Sequence, residues 1–106
     1  MDRITRILEM LKQEEYDSFL QHALALEYIK IGNDDEAKKL FDNILSREPT
    51  YIGSYYHLGK LYEQMNESQQ AIQIYKAGIL ISEKQNDAHA KSELKAVLMN
   101  LELEMD

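Results

Sequence analysis

Two stretches that read alike decide the fold: QHALALEYIKIGNDDEAKKLF over residues 21–41 and YYHLGKLYEQMNESQQAIQIY over residues 55–75. A shift of 34 residues lays Leu24 on Leu58, Tyr28 on Tyr62 and Ala37 on Ala71 as identities. The same shift pairs Ala25 with Gly59, Leu40 with Ile74, Phe41 with Tyr75 and Leu45 with Ile79. Leu24 and Tyr28 have the spacing that stacks side chains on one helix face. Ala25, Gly59, Ala37 and Ala71 are small, as two closely approaching helices require, and Phe41 or Tyr75 follows to fill the space left. Gly32-Asn33 and Asn66-Glu67 break the pattern with residues that tolerate positive φ or cap a helix. Asn33 followed by Glu36 predicts a variant of the capping box. Pro49 predicts a stop to the helix before it.

The flanks continue the theme. Ile4, Ile7, Leu8 and Leu11 form a helical stripe over 2–13, opening on Asp2 as its cap. The repeat shift lays Ile7 on Phe41 and Leu11 on Leu45, so this segment reads as the second helix of a repeat whose first helix is missing. Asp87 predicts the start of a last helix with Ala90, Leu94, Val97, Leu98 and Leu101 on one stripe and Lys91, Glu93, Lys95 and Glu102 opposite. There Ser92, Glu93 and Ala96 take the Leu, Gly and Tyr positions of the pattern, which marks a capping helix. The expectation is all-α, with about six helices over 2–13, 18–31, 34–47, 52–65, 68–82 and 87–103.

The pattern L-(A/G)-x-x-Y, then A-x-x-x-(F/Y), resembles the tetratricopeptide repeat, a helix–turn–helix unit. The second copy matches through Tyr55-Tyr56-His57-Leu58-Gly59-Lys60-Leu61-Tyr62, Ala71 and Tyr75; the first matches through Leu24, Ala25, Tyr28, Gly32, Ala37, Phe41 and Pro49. Gln21, Asn66 and Glu83 depart from it, standing for an aromatic, the turn glycine and the closing proline. The resemblance implies an α-solenoid in one domain over 1–106: a half-repeat helix over 1–17, repeats over 18–51 and 52–85, and a capping helix over 86–106. It also implies that first helices line a concave side which receives an extended peptide or a helix. The residues on that stripe are Phe19, His22, Leu26, Ile29 and Lys30 in the first copy and Gly53, Tyr56, Lys60, Glu63 and Gln64 in the second, with Tyr51 just before. The binding residues expected are Phe19, His22, Leu26, Ile29, Tyr51, Tyr56, Lys60 and Glu63, with Phe19, His22 and Tyr56 as anchor and Lys60 reading a polar or acidic group. A competing expectation has Phe19, Leu26 and Ile29 covered by a terminal helix of the chain itself. Some relatives grip a chaperone carboxylate with a Lys/Asn/Arg clamp; His22, Leu26, His57, Asp87 and Lys91 stand at those positions, and nearly all the donors are lacking.

Composition narrows the function. The 106 residues carry no cysteine, one proline and four glycines, which excludes a disulfide framework and disfavours a turn-rich sheet protein. A net charge of −7 repels phosphate backbones and anionic membrane surfaces. The amino terminus lacks the apolar block of a signal peptide, so the cytoplasm is expected. Asp34, Asp35 and Glu36 stand where a helix dipole favours acids. His22, His57 and His89 have no metal-ligand spacing, and there is no phosphate loop or nucleophile elbow. The sequence therefore reads as a non-catalytic protein- or peptide-binding scaffold without cofactor or metal. The alternative is a homodimer through its terminal helices, with Leu94, Val97, Leu98 and Leu101 in contact; a small enzyme is the remote third reading.

Overall fold

A computed structural model describes residues 2–105. Six helices follow one another: α1 (Arg3–Gln13), α2 (Ser18–Lys30), α3 (Asp34–Arg47), α4 (Gly53–Gln64), α5 (Ser68–Lys84) and α6 (Ala88–Glu104). No strand occurs among the described residues. They gather in two three-helix units, the chain dividing between Tyr51 and Ile52. In the first unit α2 packs against α1 and α3; in the second α5 packs against α4 and α6.

The helices start and stop for local reasons. Asp2 accepts from the Thr5 N–H (2.8 Å), and Asp87 accepts from the Ala90 N–H (3.0 Å). Asp17 caps α2 in the same way, taking the Leu20 N–H at 2.9 Å. Asn33 does not: its side chain makes no cap hydrogen bond, and Glu36 is bound instead by Lys39 at 3.2 Å, so the expected capping box is absent. Three turns close alike, with Gly32, Asn66 and Asn86 in the left-handed region at φ 79°, 59° and 57°. After each, the next N–H reaches back to Tyr28, Tyr62 or Ser82 at 2.8, 2.8 and 2.9 Å, a Schellman closure. Asparagine substitutes for glycine here because its short polar side chain tolerates this conformation. α3 ends two residues before Pro49, while α5, with Glu83 at the matching position, runs on to Lys84.

The first core consists of Ile7, Leu24, Ala25, Ala37, Phe41 and Ile44. The second is Tyr55, Leu58, Leu61, Tyr62, Ala71, Tyr75, Leu94 and Leu101. Each large apolar side chain fully withdrawn from water stabilises the fold by roughly 1.5–3 kcal/mol. Leu94 and Leu101 are thus committed to the interior, and Val97 and Leu98 are half-buried. The stripe expected to join two copies is spent on packing within the chain. Gln21 and Tyr55, one repeat apart, are both buried. Gln21 accepts from Arg47 (3.2 Å) and donates to the Glu15 carbonyl (3.2 Å), so a polar side chain is tolerated there. Arg47 also donates to the Tyr16 carbonyl (2.8 Å) and lies over the Tyr16 ring, pinning the α1–α2 turn.

The tightest contact is between α4 and α5. A Cβ built on Gly59 would fall among the ring atoms of Tyr75, 2.6 Å from both Cδ1 and Cζ. Gly59→Ala is therefore expected to lose about 1–3 kcal/mol through overpacking, although alanine is favoured in a helix interior by up to about 1 kcal/mol. Thermal and urea denaturation will measure this, and an unchanged or raised midpoint would refute the tight fit.

Candidate functional site

The eight expected surface residues divide between the units. Phe19, His22, Leu26, Ile29 and Tyr51 belong to the first; Tyr56, Lys60 and Glu63 belong to the second. Each group has its own surroundings.

In the first unit Phe19, 70 % exposed, is the most exposed large apolar side chain among the described residues. Asp17 caps α2 two residues before it, accepting from the Leu20 N–H. Together with His22 and Leu26, Phe19 lines a depression of about 290 Å³ that also takes in Arg3, Glu27 and Lys30. The α1 helix packs on α2 without covering Phe19, so the expected shielding of this residue by a terminal helix is not found. Leu26 and Ile29 are half-buried. Ile29 and Tyr51 lie outside the depression.

His22 is less available than its place in the stripe implied. Its ring meets Phe41 edge-on at 5.5 Å and Tyr51 at a tilt at 5.7 Å. It is a packing member with one edge on the surface. Tyr51 is half-buried, and that burial, with Glu48 and Asp17 nearby, raises its hydroxyl above the ordinary tyrosine value.

Arg3 and Glu27 are site residues that sequence reasoning did not find. Glu27 Oε2 lies 3.0 Å from Lys30 Nζ and 3.3 Å from Arg3 Nε. The Lys30 hydrogen bond first, then the charges of Lys30 and Arg3, hold its carboxyl below the usual range. Two cations around one carboxylate leave the depression with a net positive rim on a chain of net charge −7. Lys30 stands at helical spacing from Glu27 and was legible; Arg3 reaches it from another helix, which no spacing announces.

In the second unit Glu63 is committed inward. Its carboxylate accepts a short hydrogen bond from the Tyr75 hydroxyl, and Lys60 lies 3.8 Å away. Burial, followed by Glu63, pushes the Tyr75 hydroxyl far above the ordinary tyrosine range. One repeat earlier the same two positions hold Ile29 and Phe41, an apolar pair. Lys60 keeps half of its side chain in solvent. Tyr56 is half-buried with its ring edge-on to His57 at 5.3 Å. His57 is held below the ordinary histidine value by burial, partly offset by Glu93.

Among the described residues no three His, Asp or Glu side chains gather to hold a metal ion. No helix there is long and apolar enough to cross a membrane.

Comparison with known proteins follows the same lines. The tetratricopeptide repeat family model matches residues 28–98. A tetratricopeptide repeat domain protein from Salinibacter ruber is 37 % identical; its crystal structure superposes with a TM-score of 0.77 over 81 % of this chain and 96 % of its own. Its solution structure gives 0.79 over 81 % and 87 %. A Bordetella parapertussis protein of 24 % identity superposes at 0.86 over 98 % of this chain and 90 % of its own, a likeness of fold alone. A search of curated proteins finds no match.

Two outcomes are expected. Tyr75→Phe alone leaves Glu63 without its donor and costs about 1–3 kcal/mol, whereas Tyr75→Phe with Glu63→Ile recreates the pair of the first repeat and recovers most of that loss. A double-mutant cycle in urea measures the coupling, and additive losses would refute it. His57 binds its proton less readily folded than unfolded, so stability is full above the unfolded value of about 6.5 and falls as pH drops through it. Titrating unfolding midpoints from about pH 7.5 to about pH 5.5 will show that His57→Gln flattens this fall.

Proposed function

Because the chain belongs to the tetratricopeptide repeat family, whose fold is generally a non-catalytic protein-interaction module, we propose that it is a scaffold that binds a peptide or helix of a partner protein. Residues 18–51 and 52–85 act as its two repeats within one domain, and the cysteine-free composition suits a cytoplasmic setting. Each unit offers its own first-helix stripe for binding: Phe19, His22, Leu26, Ile29 and Tyr51 on the first, and Tyr56, Lys60 and Glu63 on the second. No cofactor takes part.

One observation carries the reading: Phe19 stands in solvent beside an apolar floor rimmed by Arg3 and Lys30. An exposed aromatic loses about 25 cal/mol for each Å² of apolar surface left in water, which a partner's apolar side chain would recover. Arg3 and Lys30 already share Glu27, and their remaining donors suit an acidic group next to that anchor. The expected ligand is a segment with an aliphatic or aromatic anchor followed by a carboxylate.

Affinity capture with mass spectrometry tests this, comparing the wild type with Leu26→Asp and with Lys30→Glu. Proteins held by the wild type should be lost with Leu26→Asp and weakened about tenfold with Lys30→Glu, the equivalent of roughly 1.4 kcal/mol. Identical captured sets would overturn the proposed surface.

A further inference from the structure

Two repeat lengths carry Ile7 onto Tyr75, Met10 onto Gly78 and Leu26 onto Leu94, so the pair α1–α2 is equivalent to the pair α5–α6. In the second unit that pair seats a third helix. α4 packs along α5 and touches α6. A Cβ on Gly78 would lie 2.7 Å from Tyr55 Cβ and 3.0 Å from Leu94 Cδ1, which shows how closely the three helices meet. The corresponding seat on α1–α2 is open. It is a depression of about 230 Å³, lined by Arg3, Arg6, Met10, Phe19 and Leu20 among others, and Met10 is 48 % exposed.

α6 is the converse, a first-type helix with its outer face bare. Ser92, Glu93 and Ala96 stand where α4 has Leu58, Gly59 and Tyr62, and all three are exposed. Met99 and Leu103 continue the ridge, 58 % and 63 % exposed.

The two faces match in bulk. The seat carries Arg3 where α5 has Ala71 and Met10 where α5 has Gly78. The seated face carries Ser92 and Ala96 where α4 has Leu58 and Tyr62. At these positions bulk has moved from the helix to its seat; it has moved the other way at Glu93, which stands where α4 has Gly59 and would meet Ile7 in place of Tyr75. They also match in charge. No carboxylate lines the depression and Arg6 makes no ion pair among the described residues, while the exposed charges bordering the α6 ridge, Glu93 and Glu102 with Lys95, sum to one negative charge, Glu93 lying 3.5 Å from His89.

We propose that copies of this chain associate head to tail, with α6 of one copy seated between α1 and α2 of the next. The half-repeat at each end is thereby completed as a composite repeat of α6 and the neighbour's α1. Such a contact joins two different surfaces and leaves one of each free at the ends of any open assembly. The seat shares Arg3 and Phe19 with the peptide surface, but Arg6 and Met10 line the seat alone and Leu26 and Lys30 the peptide surface alone, so variants at those positions separate the two.

Light scattering and analytical ultracentrifugation of the purified chain provide the test. The weight-average mass of the wild type should rise with concentration and fall back with added salt, since exposed charges are screened. Arg6→Glu/Met10→Glu breaks the seat, and Glu93→Arg/Ala96→Arg breaks the ridge. Each variant alone should be monomeric, with helical circular dichroism like the wild type. Mixed in equal amounts they should associate again, through the intact seat and intact ridge that remain and through the altered pair, whose charges are exchanged together. Lys30→Glu should associate as the wild type does. A wild type monomeric at millimolar concentration, a single variant that still self-associates, or a mixture that stays monomeric would each overturn the proposal.

Discussion

The Tyr75 ring lying where a Gly59 side chain would be sets the distance between α4 and α5. Apart from their own geometry, helices approach only as closely as the side chains between them allow. Removing one Cβ lets a whole aromatic ring enter the interface, fully buried. The rest of the second unit follows from this spacing. Gly78 repeats the device by admitting Tyr55 and Leu94. In the first unit Ala25 and Phe41, also fully buried, take the equivalent positions with one more carbon on α2 and one hydroxyl fewer on α3.

This constraint explains why the fold was legible. A small residue and an aromatic recurring at a fixed interval leave a trace in one sequence, and so do Gly32 and Asn66 at the turns between helices. The helix ends followed nearly everywhere, and the longer α5 has its reason in Glu83 standing where a proline stops α3. At the helix starts, local signals misled where two donors compete for one acceptor. Glu36 has Lys39 within reach on its own helix and does not turn back to Asn33.

The surface was legible in part. Phe19 and Leu26 can be placed on a face from their spacing, because that face is set by the helix alone. The role of His22 could not be read that way, since its ring is held by Phe41 from α3 and by Tyr51 beyond it. Nor could that of Glu63, which is turned inward by a hydroxyl on the neighbouring helix. Arg3 joins Glu27 across two helices, a meeting fixed by the α1–α2 turn that Arg47 pins. Stripe membership describes one helix; availability depends on what the next helix brings.

The exchange of Phe41 and Ile29 for Tyr75 and Glu63 bears on how a repetitive chain avoids misfolding. Repeats with the same spacing can pair in the wrong order, and domains built from them are prone to such errors. If α2 joined α5, the Tyr75 hydroxyl would face the Ile29 position and find no acceptor. If α4 joined α3, the Glu63 carboxylate would face Phe41 and find no donor. Each mispairing strands a polar group in the interior at about 1–3 kcal/mol. One hydroxyl and one carboxylate therefore act as a key by which each helix finds its own partner, in a chain whose two repeats would otherwise fit each other's halves.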